Sequence, residues 1–325
     1  MLPAIVACLL AFDAAGAAPP ETAAPAQAAP AASSAPAAPS SQPVPTPAQQ
    51  EAARILGVGE GVAVNVDVGV WVPRLTGTAR VGAGGTPMAL NEQLAVGASA
   101  PGVAGELGVF VDRWRFGGIG FATSLDSHQR ANAGGTFGTT TITPGDRISG
   151  SYSAWMVGAE VGYVVWRPFA DEPWPWSDPG ANREEATKAM GANGRPLVDM
   201  RFLVLGGALA FGYEQTLQND TAGGQSSFDK TVGGIYGGGG LELNLGIDGR
   251  FPLVQDVRIY GYAGIGPSIP DGDVLWMIRV GVAVMFTKNV GLEFGYRLFD
   301  FDLQSGPSEV DGGLRGVFGA VTLKF

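Results

Sequence analysis

Along residues 61–73 a valine occupies every second position: Val62, Val64, Val66, Val68, Val70 and Val72. Between them stand Ala63, Asn65, Asp67, Gly69 and Trp71. A period of two puts successive side chains on opposite faces of a strand. One face is therefore branched hydrocarbon, and the other is small or polar with a charge near its centre. The alternation recurs in 103–111, 115–125, 153–166, 203–213, 235–245, 257–266, 276–286, 290–298 and 316–325, with turn-rich stretches between. The phase of 257–266 is open. In the others one face is apolar, as with Leu203, Leu205, Leu209, Phe211 and Tyr213, or with Trp276, Ile278, Val280, Val282 and Val284.

The opposite faces carry Gly and Ala with single charges: Asp67, Glu106, Glu160, Glu242, Arg279, Glu293 and Arg297. A face turned to water would show Lys, Thr, Ser and Gln rather than repeated Gly. Gly beside isolated opposite charges suits a narrow barrel interior, where space is short and ions pair. An apolar face with aromatic ends is then a lipid-facing band with its girdles. The predicted fold class is all-β: an antiparallel up-and-down transmembrane β-barrel of about ten strands, with eight the alternative. Val62, Val64, Val66, Val68, Val70 and Val72 face lipid in this reading, and the seven charges form a lumen network. Reading 74–102, 126–147, 215–231, 267–274 and 304–312 as external loops leaves 112–114, 167–196, 246–253 and 287–289 as periplasmic connections. The last set fits the short periplasmic turns of such barrels except at 167–196.

Composition narrows the picture. The 325 residues include 51 Gly but only one His and one Cys, and 15% are charged. A net charge of −10 argues against a nucleic-acid partner, which needs a basic stripe. Cys8 lies in the apolar run 1–17, which ends in Ala15-Gly16-Ala17 and reads as a signal peptide, although no Lys or Arg precedes Arg54. Residues 18–56 are rich in Pro and Ala and read as a disordered periplasmic linker, with the cell wall as a candidate partner. The barrel is assigned to 57–325. No apolar run long enough for a membrane helix follows the signal.

The chain ends in "AVTLKF", with Val321, Leu323 and Phe325 on one face, preceded by "GLEFGYRLFDFDL". These features resemble the C-terminal assembly signal and penultimate hairpin of small outer-membrane β-barrel proteins, the outer-membrane protein A-like and porin-like superfamily. Ala320 stands where such signals usually carry Gly, with Gly319 beside it. The resemblance implies the outer membrane of a Gram-negative bacterium. It also implies outer-membrane lipid and the barrel-assembly machinery as partners, and a structural, adhesive or narrow-pore role.

Candidate chemistry is sparse. His128, beside Ser124, Asp126 and Ser127, is the one candidate general base, and a lipid-modifying barrel enzyme is the alternative it supports. A triad is defined by spatial roles rather than adjacency, so these neighbours do not make one. "GGGG" at 237–240 lacks the Lys-Ser/Thr of a phosphate loop. Asp271, Asp273, Asp300 and Asp302 show no spaced calcium signature. No cofactor and no metal is expected. A soluble barrel binding an apolar ligand is the third reading, and it requires the valine face to turn inward.

Overall fold

The computed structural model describes residues 63–90, 93–94, 99–111, 113–168, 198–247, 253–270, 273–287 and 289–325. Val62, the signal 1–17, the linker 18–56 and most of 167–196 lie outside the described residues. The strands are β1 (Ala63–Arg80), β2 (Met88–Ala89), β3 (Gly102–Val111), β4 (Trp114–Arg130), β5 (Gly135–Phe137), β6 (Thr140–Ile142) and β7 (Arg147–Trp166). They continue with β8 (Val198–Asn219), β9 (Gln225–Gly246), β10 (Asp256–Ile269), β11 (Val274–Met285), β12 (Val290–Ser305) and β13 (Ser308–Lys324).

Ten of these form one antiparallel sheet in the order β1-β3-β4-β7-β8-β9-β10-β11-β12-β13. The sheet closes on itself through β13 and β1, in register from Asn65↔Lys324 to Arg80↔Glu309. Val64 and Phe325 exchange backbone bonds at one rim, which fixes that rim as the end carrying the C-terminus. Closure removes both sheet edges, so no long row of backbone donors is left open. Every sequence neighbour among the ten is also a sheet neighbour, the up-and-down barrel that the alternation predicts.

The strands run further than the alternation suggested. β8 and β9 have 22 residues each and meet across a turn at 220–224. Most of 215–231, read above as an external loop, is therefore paired strand. The same holds for 74–80 and 126–130. Other described residues at this distal rim, in 81–90, 93–94 and 131–146, turn back over the mouth. Met88, Leu90, Leu94, Phe137 and Ile142 are buried there in the core cluster. Gly138 donates its N–H to the Val81 carbonyl, which ties the two segments together.

The long strands divide part-way along, and their two faces exchange polarity there. On the C-terminal side of that exchange the outer face is apolar: Val64 to Val72 on β1, Phe294 and Tyr296 on β12, Val317 and Val321 on β13. Past it, the outward positions become Arg74, Thr76, Thr78 and Arg80, then Asp300, Asp302 and Gln304, then Arg315, Asp311 and Glu309. The registers Val72↔Val317 and Arg74↔Arg315 place the change at the same height on β1 and β13, while on β12 the partner of Arg315 is still Leu298 and the change comes one outward position later, at Asp300. β4, β7 and β8 repeat it, since Ala122, Trp155 and Gly212 are register partners and so are Ser124, Ser153 and Glu214. Inside, the order is opposite. Asp67, Glu293 and Arg297 lie on the C-terminal side, and Leu75, Phe301, Leu303 and Leu314 lie on the distal side. One half thus has an apolar exterior and a charged interior, and the other has a polar exterior and an apolar core.

The apolar belt has a measurable height. On β7 it runs from Val165 to Trp155. Ten steps at about 3.3 Å give about 33 Å along the strand. A tilt near 40° reduces this to about 25 Å, the height of a membrane barrel's apolar band. Trp114, Tyr163, Phe286 and Phe325 mark its lower rim, and Trp155, Trp276 and Tyr296 its upper one.

Candidate functional site

The lumen is the candidate site, because it gathers the buried charges of the chain. Inward positions near the C-terminal rim alternate glycine with long polar side chains, and the glycines make room. A Cβ on Gly207 would meet the Tyr236 ring at 2.6 Å, and one on Gly281 would meet the Tyr260 hydroxyl at 2.7 Å. Tyr262 lies in the same way against Gly240. Glycine on one strand therefore lets a tyrosine of another lie flat against the wall.

The charges form two lobes. In the first, Arg115 bridges Glu106 at 2.7 Å and Glu160, while Arg279 bridges the same carboxylates at 2.9 and 2.8 Å. Arg297 stands 3.6 Å from Glu106, with its guanidinium 4.1 Å over the Phe318 ring. Tyr236 donates its hydroxyl to Glu160 at 3.0 Å. In the second lobe Arg258 pairs with Glu293 at 2.8 Å and Asp67 at 3.7 Å, and Tyr260 donates to Glu293 at 2.6 Å. Glu242 accepts from the Tyr262 hydroxyl. Arg115 and Arg279 both sit over the Tyr262 ring, at 5.1 and 5.0 Å. Nearer the rim, Asp199 joins Arg167 and Arg201. All seven lumen charges expected from the sequence are inward and buried.

The distal half of the lumen is different. Trp71, at the level of the exchange, donates its indole N–H to the Gly316 carbonyl at 3.1 Å and meets Phe121 edge-on at 4.7 Å. Phe211 packs against Phe299 and Phe301 at 4.8 and 4.7 Å, and Tyr213 against Phe301 at 5.4 Å. The expectation of a lumen filled throughout by Gly and paired charges is corrected here: charges fill one half and aromatic and aliphatic side chains fill the other. The apolar face of 203–213 is corrected with it. Leu203, Leu205, Leu209, Phe211 and Tyr213 point inward, and Val204 is the exposed side.

Several members of the network were not anticipated. Arg115 opens its segment beside Trp114, Arg258, Tyr260 and Tyr262 lie on the segment whose phase was open, and Tyr236 shares the parity of Glu242 at the start of 235–245. Asp199 and Arg201 precede the first residue counted in their segment. They share the parity of Leu203 and Phe211, so extending the alternation two residues back would have turned that face inward.

His128 is exposed on the outer wall of β4, in register with Ser149 on β7. Its Nδ1 lies 2.7 Å from Ser149 Oγ, and Ser149 donates to Asp220. A hydrolytic relay needs the histidine between acid and serine. Here the serine lies between, giving its proton to the carboxylate, and nothing takes that proton for an attack. Ser124 and Asp126 share the His128 face without joining it, and Ser127 points the other way. The geometry does not build the catalytic alternative from these residues.

Among the lipid-facing candidates, Val68 and Val70 are 56% and 48% exposed, and Val64, Val66 and Val72 are half-buried on the same outer face. This outward direction contradicts the soluble-barrel reading. Val321, Leu323 and Phe325 continue the same face, with Val321 opposite Val68 and Leu323 opposite Val66.

No protein-family model and no curated protein matches the sequence. Solved structures do match in architecture. The outer membrane protease OmpT of Escherichia coli aligns at 10% identity and a TM-score of 0.42, over 81% of this chain and 97% of its own. The attachment invasion locus protein Ail of Yersinia pestis aligns at 10% identity and 0.32, over 82% and 100%. The toluene transporter TodX of Pseudomonas putida aligns at 10% identity and 0.26, over 83% and 91%. The solved structures it resembles are outer-membrane β-barrels. Their printed activities differ, and at these identities the likeness is one of fold alone.

Proposed function

We propose that the chain is an integral outer-membrane β-barrel of a Gram-negative envelope, closed to solutes, that holds a polar platform beyond the bilayer for docking or adhesion. One observation carries this reading: wall polarity reverses on both faces part-way along the long strands. A soluble barrel has no use for an encircling belt of exposed Val, Ile, Phe and Trp. Exposed apolar patches on soluble proteins rarely exceed a few hundred Å². A barrel confined to the bilayer would have no use for the second half, whose outside is Ser, Thr, Asp, Glu and Arg. In lipid every backbone group must be paired internally, and a closed sheet does this.

The same observation argues against the narrow-pore role. Conduction needs a wet path through the lumen, whereas the network occupies one half of it and the aromatic plug the other. With ten strands the interior is little wider than the side chains that fill it. The reading gives His128 no catalytic part.

Two assays on the refolded chain test it together. Unheated protein in detergent should migrate differently from heated protein, and planar bilayers should show no steps above background. Stable, monodisperse protein without detergent would refute the membrane part. Regular conductance steps would refute the closed lumen.

A further inference from the structure

An internal cavity of about 30 Å³ lies where the first charged lobe meets the apolar plug. That exceeds the ~10–15 Å³ that one water requires. Trp71, Ile119, Phe121 and Phe299 are among its apolar lining, and Arg279 and Arg297 are its charged side chains.

These two arginines are direct register partners on β11 and β12, both inward, at 5% and 9% exposure. Like charges placed directly opposite repel. The Nε atom of each has no hydrogen-bond partner. Nη1 of Arg279 also lacks one, since Glu106 Oε2 at 2.9 Å lies out of hydrogen-bonding alignment. Around the cavity three guanidiniums, Arg115, Arg279 and Arg297, face two carboxylates, Glu106 and Glu160. The opposite excess, Asp67 and Glu293 against Arg258, sits in the second lobe, and among the described residues no ion pair joins the two.

Local charge, free donors and space therefore coincide. The lining side chains offer donors but no comparable acceptor; Glu106 Oε2, which also lacks a hydrogen bond and stands 2.9 Å from Arg279 and 3.6 Å from Arg297, is not part of the lining. The Trp71 N–H is already used, and the sulfurs of Met156 and Met277 accept only weakly. A buried water needs acceptors for its own protons as well as donors for its lone pairs. A halide needs donors alone. We infer that this cavity is a binding site for a monovalent anion of halide size, held between the guanidiniums of Arg279 and Arg297. The ion offsets the positive excess of the first lobe and partners the orphaned N–H groups at the base of the plug. The inference rests on the lumen alone and does not depend on what surrounds the barrel.

Bromide is the probe. Crystals of the refolded full chain grown in sodium bromide should show an anomalous peak between Arg279 and Arg297. In solution, the temperature of conversion to the heat-modified form should be higher in sodium bromide than in sodium gluconate at equal ionic strength. Arg297→Gln removes the excess charge and should abolish that difference, while Arg297→Lys, which keeps it, should retain most of it. Arg297 is chosen because its nearest carboxylate is the most distant of the first lobe's pairs. If Arg297→Gln does not fold, the wild-type anomalous map decides. No anomalous signal in the cavity, no bromide effect on the wild type, or an undiminished effect in Arg297→Gln would each overturn the inference.

Discussion

Replacing Phe211 by Ala tests whether the distal lumen is a packed core. Phe211 is fully buried and touches the rings of Phe299 and Phe301. Removing about 150 Å² of buried apolar surface at about 25 cal/mol/Å² costs about 4 kcal/mol. Measured Phe→Ala losses in cores run about 3–5 kcal/mol, and this site, with two aromatic contacts, falls well inside that range. The control is Val204→Ala on the same strand, 55% exposed on the outer wall, where the belt meets detergent or lipid rather than a packed interior. Urea unfolding of refolded protein in detergent, followed by tryptophan fluorescence, gives both values. The expected result is a loss of about 4 kcal/mol for Phe211→Ala and well under half of that for Val204→Ala. A Phe211→Ala loss below about 1 kcal/mol would mean that the distal lumen is loose or wet, and the closed-lumen argument would fall with it.

Other outcomes follow from the same geometry. Arg258→Ala leaves Asp67 and Glu293 of the second lobe without their cationic partner and should cost about 3–5 kcal/mol in the same unfolding assay, whereas Arg80→Ala, which breaks an exposed pair with Glu309, should cost no more than about 1 kcal/mol. Val68→Lys, within the belt, should cost about 2–4 kcal/mol in lipid, and Thr78→Lys, past the exchange of polarity, close to nothing. Asp146 lies outside the strands, where the Thr143 N–H, the Asn219 amide and the Thr143 hydroxyl donate to its carboxylate and hold its pKa below the usual 3.8. A lowered pKa means that the anchor is intact above the ordinary carboxylate range and is lost as pH falls through the lowered value. Pepsin cleavage within 131–146 should therefore rise only beneath that range, and Asp146→Asn should make it insensitive to pH.

The strand count, the up-and-down order and the inward direction of Asp67, Glu106, Glu160, Glu242, Arg279, Glu293 and Arg297 were legible because a period of two is unambiguous where one face is Val or Leu and the other Gly with a charge. Legibility failed where that contrast fails. At 126–130 the outward residues are Asp126, His128 and Arg130 and the inward ones Ser127 and Gln129. Both faces are polar, so a paired strand reads as a loop. On β8 the inward face is more apolar than the outward one, and a rule that sends the apolar face to lipid inverts it. The network also depends on Arg115 and Arg258, whose pairing with Glu160 and Glu293 spans 45 and 35 residues. Parity shows which way a side chain points but not which distant strand it meets. That follows only from closure and register. His128 found Ser149 and Asp220 rather than its sequence neighbours for the same reason.

The central claim is that the outer wall leaves an apolar environment for water between Val72 and Arg74. The chain has one cysteine, Cys8, far from the wall in sequence, so replacing it permits single-cysteine variants along the outward face of β1. Spin labels at residues 64, 68, 72, 74, 78 and 80, in barrels reconstituted in lipid, would be read by relaxation with oxygen and with a water-soluble nickel chelate. The account predicts oxygen-dominated relaxation from 64 to 72, strongest near 68, and a switch to chelate-dominated relaxation at 74 that persists to 80. Chelate access equal at all six positions, or a gradual drift with no switch at that level, would contradict it.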